Sequence, residues 1–474
     1  MTPDPENVQS LAIARYPHRY RVILLFRIDA AARAQTFLRR WAGNVQGGPT
    51  PAADAEAAYH FAFSWAGMAQ LLGVDAHAAD RLDPDAGAGQ MEGFFTDPAE
   101  APHRLATAVD LGFSGANSPE HWWAPGVDPD AFHMAMFCYF SDEAQKTETL
   151  RRIRHEASGA GLHEWQFPSF ADKALSGHIP SDGVLHFGFR DGVSKVEIDW
   201  DEAGARGKTD FRELLLGYSN LTYPTMPVDP GPWNAFLRDG YYVGTAWLYQ
   251  DVAAFNHFLA DSAAAVQHLP AGSDRQEWLA AKLVGRWRDG SPLAAHPDRQ
   301  PDAPDLANDF GYGDDETGEK TPLFSHIRVC NTRDQELSAP NRQRFRNGPP
   351  RLVRRGFSYG PPLAGSVDDG RDRGLVGIFA CARINEQLYT IIRWMQETGF
   401  SDRFYDVKQG WRRQDSMFGL RDKPKAFASA HIPLADGTAL DLPLRDFIRY
   451  KGLSLFFAPS LASLKILAGD PGPA

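Results

Sequence analysis

An internal repeat is the sequence feature that most restricts the fold of this chain. The segment YRVILLFRI at 20–28 is β-branched and aromatic, as in a strand with a buried face, and an amphipathic helical pattern follows it. The segment YYVGTAWLYQDVAAFNHFL at 241–259 repeats this strand and helix. The offset between residues 20 and 241 aligns Tyr20 with Tyr241, Val22 with Val243, Phe26 with Trp247, Phe37 with Phe258, and Leu38 with Leu259.

A second repeated unit lies further along each half. The strand-like segment FHMAMFCYF at 132–140 and the helix-like segment after it resemble LVGIFACAR and INEQLYTIIRWM at 375–395. One common offset aligns Phe137 with Phe379, Leu150 with Ile392, and Ile153 with Met395. Two strand–helix units per half are the element order of the ferredoxin-like α+β fold. The sequence therefore predicts tandem, duplicated ferredoxin-like domains with antiparallel sheets and packed helices. A chance similarity of apolar patterns is the alternative.

Length and composition agree with two globular domains. At 474 residues the chain is too long for one ordinary core, and its 43% hydrophobic and 23% charged residues are typical of globular proteins. We expect an N-terminal domain at 1–215 and a C-terminal domain at 216–474. A formal net charge of −11 argues against a nucleic acid partner, because phosphate backbones attract basic surfaces.

Other features of the sequence bear on its location. The first twenty residues have neither the basic start nor the apolar centre of a signal peptide. No run of about 18 apolar residues could span a membrane. The three cysteines, Cys138, Cys330 and Cys381, are widely spaced and give neither a disulfide framework nor a zinc motif. Together these features predict a soluble cytoplasmic protein with cysteines that serve as small buried hydrophobes.

Several common catalytic motifs are absent from the sequence. It has no phosphate-binding Gly-x-x-x-x-Gly-Lys-Ser/Thr loop, no Gly-x-Ser-x-Gly elbow, no His-Glu-x-x-His helix and no Gly-x-Gly-x-x-Gly turn. None of the 15 histidines pairs with another at a spacing of three or four residues, so a multi-histidine metal site has little support. A single histidine is nevertheless enough to hold iron when a porphyrin supplies the four in-plane ligands.

His326 is the candidate for such a ligand. It opens the alternating segment SHIRVCNTRD, directly after the acidic, Pro- and Gly-rich segment 294–320. A loop of that length inside a compact domain is usually functional or disordered, and we expect it to cover one edge of a pocket. The alternative for His326 is a structural histidine with a satisfied hydrogen bond.

Two further motifs contain candidate residues for the same pocket. HFGFRDGVS at 186–194 has glycines on both sides of Asp191, and glycines allow a tight turn or a close approach to a flat ligand. LVRRGFSYG at 352–360 contains Arg354 and Arg355 between apolar residues, so one arginine of the alternating pair should point inward. The alternatives are a surface turn for the first motif and a surface-facing pair for the second.

At this point the sequence resembles the dye-decolorising peroxidase family of haem enzymes, from about residue 18 to about residue 468. The stretches that carry the resemblance are HFGFRDGVS (186–194), EWLAAKLVGRWRDGSPL (277–293), NDFGY (308–312), SHIRVCNTRD (325–334), LVRRGFSYG (352–360) and LSLFFAPSLASL (453–464). The extended loops resemble those of the longer family members. The resemblance implies the tandem ferredoxin-like fold predicted from the repeat, with haem b held in the C-terminal half.

The resemblance also implies roles for particular residues. His326 would be the proximal iron ligand, which also makes it the metal-binding residue. Asp191 would be the distal acid and base, and Arg354 the distal arginine. Asp402, in SDRFYDV, resembles the acid that some members place behind the proximal histidine. Two departures from the family pattern are Val329–Cys330 and the sequence KVEID after HFGFRDGVS, and both put substrate access and haem-edge contacts in question.

The function implied by the resemblance is that of a peroxidase. Hydrogen peroxide would oxidise the iron, and bulky aromatic or phenolic one-electron donors would reset it. We also expect a homodimer. A haem-binding or haem-handling protein without peroxide turnover is the alternative, and a ferredoxin-like scaffold that has lost haem is a third hypothesis. Asp191 and Arg354 favour the peroxidase, because mere haem binding requires neither residue.

Overall fold

The structure, a computed structural model, describes residues 2–50, 56–74, 95, 97–194, 196–201, 208–218, 232–269, 273–346, 348–406, 411–421 and 429–470. The strands in chain order are β1 (Tyr20–Ile28), β2 (Ala57–Phe63), β3 (Met134–Phe140), β4 (Leu162–Glu164), β5 (Leu175–His178), β6 (Ile198–Asp199), β7 (Thr209–Asp210), β8 (Tyr241–Gln250), β9 (Val353–Tyr359), β10 (Gly374–Cys381), β11 (Tyr405–Asp406), β12 (Trp411–Arg412), β13 (Ser429–Pro433), β14 (Ala439–Pro443) and β15 (Ile448–Ala458).

Helices lie between these strands. The α-helices in chain order are α1 (Ser10–Ile13), α2 (Ala31–Ala42), α3 (Trp65–Leu72), α4 (Leu105–Asp110), α5 (Glu143–Gly159), α6 (Pro232–Leu237), α7 (Val252–Ser262), α8 (Arg275–Val284), α9 (His326–Cys330), α10 (Ala339–Arg344), α11 (Thr390–Gln396) and α12 (Leu461–Leu467). A π-helical segment, Ile384–Tyr389, leads into α11. Short 3-10 helices are formed by Pro5–Asn7, Pro98–Glu100, Gly115–Asn117, Pro119–His121, Pro129–Ala131, Phe211–Glu213, Ala263–Ala265 and Asp402–Phe404.

Most of the longer strands belong to one sheet whose two ends meet. The strands β3, β2, β15, β8, β10, β9, β5 and β1 are hydrogen-bonded neighbours in that order, and β1 also pairs with β3. All of these pairings are antiparallel. These strands therefore close into a barrel, and β4 extends the sheet beside β1.

Each half of the barrel has the ferredoxin-like strand order. The N-terminal half runs β5-β1-β3-β2, and the C-terminal half runs β15-β8-β10-β9. The register also repeats, since Val22 lies opposite Cys138 and Val243 lies opposite Ala380. The two offsets of the sequence repeat convert the first of these pairs into the second. The predicted duplication and fold class are confirmed, whereas the boundary between residues 215 and 216 stays a prediction.

The two halves meet along two narrow seams. Phe63 of β2 pairs with Phe457 of β15 at one seam, and His178 of β5 pairs with Ser358 of β9 at the other. Each seam has this one registered pair among the described residues. Pairs within each half are far more numerous, because those strands are joined along most of their length. The seam between β5 and β9 is therefore a place where the barrel wall can leave room for a cavity.

Helices cover the outer face of the barrel through apolar contacts. The ring of Phe37 on α2 lies 6.4 Å from that of Phe26 on β1. In the second half, a Cβ atom on Gly244 of β8 would lie 2.5 Å from a methyl carbon of Leu388, so the π-helical segment packs closely against this strand. None of the helices in the described ranges combines the length and the apolar character that crossing a membrane requires.

Candidate functional site

One cavity of about 1190 Å³ brings together the sequence motifs singled out above. Its walls include Asp191 from the first motif, His326 from α9 and Arg354 from β9. These residues come from both halves of the chain. Asp191 and Arg354 line the same cavity as His326, which favours a shared site over the surface-turn and surface-pair alternatives.

The imidazole of His326 is held firmly against one wall of the cavity. Its Nδ1 donates a hydrogen bond to Oδ2 of Asp415 at 2.9 Å. The ring of Phe418 stacks on it, with 5.1 Å between ring centroids and 24° between planes. A carboxylate on Nδ1 fixes the tautomer of a histidine and leaves Nε2 as the nitrogen that can bind a metal. About 19% of the His326 side chain is exposed, and this residue lines the cavity.

Asp415, and not Asp402 as predicted from the sequence, is the acid that lies behind His326. Asp415 is fully buried, and its Oδ1 accepts hydrogen bonds from the backbone of Met417 and Phe418 at 2.8 and 2.9 Å. Asp402 instead lies exposed in a 3-10 helix. The prediction for Asp402 is wrong, because an acid 89 residues from His326 reaches the imidazole through tertiary packing. The sequence signal was the Asp-Ser-Met-Phe-Gly turn, which is typical of a carboxylate that binds its own backbone.

The turn that contains Asp415 is tied to the segments around His326. The backbone N–H of Asp415 donates to the carbonyl of Met395, and that of Ser416 donates to Phe324. Arg421 donates to the carbonyl oxygens of Asp415 and Ser416 at 2.9 and 2.7 Å. Burial lowers the pKa of Arg421 to about 10, against the charges of Asp415 and Asp446. The carboxylate behind His326 is thus fixed by backbone contacts on several sides.

Cys330 lies one helical turn after His326. Its Sγ is 3.5 Å from Nδ1 and 3.7 Å from Nε2 of the imidazole. Burial lowers the pKa of His326, but the charges and hydrogen bonds of Cys330 and Asp415 outweigh burial and raise it to about 10. Cys330 is half-buried and lines the cavity, so the expectation of a buried hydrophobe is wrong for this cysteine, while Cys138 and Cys381 are buried as expected.

The Gly-Phe-Arg-Asp-Gly segment forms a tight turn that leaves the carboxylate of Asp191 facing the cavity. Gly188 and Gly192 have φ values of 85° and 74°, which favour glycine. The backbone N–H of Asp191 donates to the carbonyl of Gly183 at 2.8 Å. No hydrogen bond or ion pair joins its carboxylate to another described residue, and the side chain is exposed to the cavity.

A neighbouring motif supports this turn. Arg288 donates to Glu277 at 2.8 Å, and its guanidinium lies 5.1 Å from the centre of the Phe189 ring. The same guanidinium donates to the carbonyl of Phe187. The backbone carbonyl of Arg288 also accepts a hydrogen bond from the backbone N–H of Arg190 at 2.9 Å. The stretch 277–293 therefore acts as the support that positions Asp191.

Arg354 faces the cavity from β9. Its side chain is exposed there, and the described residues provide it with no hydrogen bond or ion pair. Arg355, the next residue, instead donates to the backbone carbonyls of Ala12 and Ala14 at 2.7 and 3.2 Å. Neighbouring residues of a strand point to opposite faces of the sheet, so the side chains of Arg354 and Arg355 have different neighbours.

The acidic loop at 294–320 covers an edge of the cavity, as predicted. Asn308 and Phe310 of this loop line the cavity. Arg333 donates to the carbonyls of both residues at 2.8 and 2.9 Å, and its guanidinium lies 3.8 Å from the Phe310 ring centre. Arg286 donates to the side chain of Asn308 at 2.9 Å. Two cationic side chains thus fix the cover at the cavity rim.

Arg328 is a residue that the sequence reasoning missed. It is fully buried, pairs with Asp315 at 3.0 Å and donates to the carbonyl of Thr321 at 2.6 Å. Its guanidinium lies 4.6 Å from the Tyr312 ring centre. Arg328 therefore joins the acidic loop to α9, the helix that begins with His326. An arginine inside an otherwise apolar helical turn was the available signal.

The residues of the cavity fit a porphyrin with a bound iron. Apolar side chains form much of the wall, namely Val284, Ile327, Leu388, Ile391, Met395 and Phe418. One imidazole, held by a carboxylate, offers its second nitrogen, which is the donor that haem iron requires. Arg286 and Arg333 at the rim could bind the acidic edge of such a ligand. Fold and pocket together define a tandem ferredoxin-like protein whose cavity is lined by a histidine, His326, with the chemistry of a haem ligand.

Comparison with known proteins agrees with that class. A scan against protein-family models gives no match. The chain is 26% identical over 399 residues to "Dye-decolorizing peroxidase msp1" of Mycetinis scorodonius, which covers 78% of this chain and 72% of that protein. It is 26% identical over 470 residues to "Multifunctional dye peroxidase DyP2" of an Amycolatopsis species, which covers 94% of this chain and 92% of that protein.

Solved structures show the same fold. A dye-decolorizing peroxidase in complex with 2,6-dimethoxyphenol superposes with a TM-score of 0.74 at 21% identity, over 98% of this chain and 100% of the other. A second structure, titled as a crystal structure of DyP, gives a TM-score of 0.77 at 20% identity, over 99% of both chains. The chain is thus similar in sequence and in fold to dye-decolorising peroxidases, and the resemblance read from the sequence is confirmed.

Proposed function

We propose that this protein is a haem peroxidase of the dye-decolorising type, which uses hydrogen peroxide to oxidise aromatic or phenolic one-electron donors. The observation that carries the proposal is the cavity, where His326 has a carboxylate behind it while Asp191 and Arg354 face the same space without partners among the described residues. The relative whose structure holds 2,6-dimethoxyphenol supports phenols as donors.

We propose haem b as the cofactor and His326 as its iron ligand. When bound, haem would supply a redox-active iron that passes electrons from the donor to peroxide. Nε2 of His326 is the ligand atom, because Nδ1 is engaged by Asp415. The Asp415 carboxylate raises the basicity of the imidazole and prevents the ring from rotating.

Asp191 and Arg354 have the roles of acid–base catalyst and electrostatic stabiliser. The carboxylate of Asp191 takes a proton from one peroxide oxygen and returns it to the other, so that water can leave. The guanidinium of Arg354 stabilises the negative charge that develops on the peroxide as its O–O bond breaks.

Spectroscopy of the purified protein tests this proposal. The protein should be coloured, with a Soret band, and stoichiometric peroxide should produce a transient spectral change that a phenolic donor reverses. Haem without that transient would support the alternative of a haem-binding protein without turnover. Colourless protein that does not take up added haem would support the scaffold that has lost its cofactor.

The remaining expectations concern the assembly and location of the protein. The domain limits 1–215 and 216–474, the homodimer and the cytoplasmic compartment stay predictions from the sequence. Limited proteolysis tests the domain limits, and light scattering of the haem-loaded protein tests the dimer. Fractionation of the native cells tests the compartment.

A further inference from the structure

The cavity extends beyond the site of His326 into the interior of the barrel. Its lining includes both Arg354 and Arg355, which are neighbours on β9 and point to opposite faces of that strand. The cavity can pass from one face of the sheet to the other at the seam between β5 and β9. There the described residues form the single registered pair His178–Ser358. We call the barrel-side part, bounded by Tyr16, Arg21, Tyr139 and Arg355, the barrel annex.

Two guanidinium groups of the barrel annex, that of the buried Arg21 and that of the half-buried Arg355, have only carbonyl partners. Arg21 is 8% exposed, and it donates to the carbonyls of Gly356 at 3.1 Å and Tyr16 at 3.4 Å. Arg355 donates to the backbone carbonyls of α1 and of the residue after it. Among the described residues, no carboxylate forms an ion pair with either arginine. Neither guanidinium therefore has a counter-ion among the described residues.

Polar atoms that could hold a ligand remain unused in the barrel annex. Nε of Arg21 and the hydroxyl group of Tyr139 are buried and have no hydrogen-bond partner. The guanidinium of Arg21 lies over the ring of Tyr139, 4.6 Å from the ring centre, so the two unused groups belong to one pair of contacting side chains. A buried polar group without a partner costs about 1–3 kcal/mol, which a bound ligand can recover.

The electrostatics of the barrel annex point to an anion. Burial lowers the pKa of Arg355 to about 10, and the nearby charges of Arg15 and Arg21 act in the same direction. Arg15 is exposed and lines the same cavity. Three cations that repel one another in a partly buried space, without an acidic partner among the described residues, favour the uptake of a negative charge.

We propose that the barrel annex binds an oxyanion, of the carboxylate or sulfate type, at a site separate from the one formed by His326. Arg21 and Arg355 provide the charge, and the Tyr139 hydroxyl donates a hydrogen bond. Guanidinium groups bind such anions through paired N–H donors, which explains why arginine is used here rather than lysine. The site does not depend on the peroxidase reaction.

Calorimetry on the haem-loaded protein tests the proposal with defined probes. Benzoate and sulfate are titrated separately at constant ionic strength set with chloride, and benzamide serves as the uncharged match for benzoate. We expect saturable binding of benzoate, sulfate or both, and none of benzamide. Equal binding of benzamide, or no saturable binding of either anion, would overturn the proposal.

Variants locate the binding. Tyr139→Phe should weaken anion binding severalfold while the protein stays folded, because the lost hydroxyl has no partner in the ligand-free protein. Arg21→Gln should weaken binding about tenfold or more. Arg449→Gln is the matched control, since Arg449 also lies over a tyrosine ring, at 4.7 Å from the centre of Tyr249, but is exposed on β15. Unchanged affinity in both Tyr139→Phe and Arg21→Gln would contradict the assignment.

The haem carboxylates are a competing occupant that the same experiment excludes or reveals. Anion affinity is measured on haem-loaded and haem-free protein. Similar affinities in both forms support a separate site. Binding that occurs only without haem would mean that the cofactor's own carboxylates fill the barrel annex, and the proposal would then be wrong. A failure of peroxidase activity would not affect either outcome, because the readout is binding heat.

Discussion

Two sets of residues that line the cavity, which we call its two sides, are held in opposite ways. On one side His326 is hydrogen-bonded to Asp415 and stacked on Phe418, and Asp415 accepts two further bonds from backbone N–H groups. On the other side Asp191 lies in a hydrogen-bonded turn and Arg354 lies on β9, yet their charged ends have no partner among the described residues. The first side has its interactions complete within the fold, and the second leaves them for a ligand.

This difference has a physical meaning. A metal ligand benefits from a fixed orientation and a fixed tautomer, which a buried carboxylate provides. Groups that move protons and stabilise transient charge must instead keep their lone pairs and N–H donors free for the substrate, while their backbone stays in place. Substitutions on the two sides should therefore separate loss of cofactor from loss of peroxide chemistry.

His326→Ala should have the largest effect. We expect haem affinity to fall by more than about 100-fold. Removing a residue that only hydrogen-bonds to a metal ligand already lowers metal affinity about 10–100-fold, and removing the ligand itself should lower it more. Haem titration followed at the Soret band measures it. His431→Ala is the matched control, because His431 also pairs with an aspartate, Asp441, at 2.8 Å, but on the surface. Full haem binding by His326→Ala would show that His326 is not the iron ligand.

Asp191→Asn should keep haem and lose peroxide chemistry. The amide has nearly the shape of the carboxylate but cannot accept the proton, so the reaction with peroxide should slow about 10²-fold or more. Stopped-flow spectroscopy measures the rate, and haem content is checked on the same sample. Asp302→Asn, at an exposed residue of the acidic loop, should react like the unmodified protein. An unchanged rate in Asp191→Asn would assign the proton transfer to another group.

Arg354→Leu should slow the same step by close to 10²-fold, because one preorganised donor to a developing negative charge is worth roughly that much. Haem should again be retained. The exposed Arg151, paired with Glu148, provides the control Arg151→Leu. If Arg354→Leu lost haem but its remaining haem reacted with peroxide at the normal rate, Arg354 would hold the cofactor. It would then belong with His326 and Asp415 rather than with Asp191.

Asp415→Asn should have the smallest effect of the four, a loss of about 10–100-fold in haem affinity or activity. The amide oxygen can still accept the backbone bonds of the turn, so the protein should fold. Asp402→Asn, at the exposed acid first expected in this role, should change neither property. The paired measurement is a haem titration of both variants. Equal losses in the two would show that the contact with Asp415 is not what positions His326.

Much of the fold could be predicted because it is encoded locally and then repeated. The apolar patterns around Tyr20 and Tyr241 predicted strands and helices and their duplication, and the register of the two halves repeats accordingly in the structure. His326, Asp191 and Arg354 could be named because short motifs mark them. The single pairs that join the two halves gave no such signal, since they depend on how two finished sheets meet.

The sequence by itself determined the duplicated α+β architecture and the three residues with the strongest motifs. Only the tertiary structure decided that Asp415 rather than Asp402 lies behind His326, that Arg355 turns to α1 while Arg354 faces the cavity, and that Arg328 anchors the acidic loop. Periodicity reports which face of an element is buried. It does not report which distant element covers that face, and partners of this kind are chosen by packing.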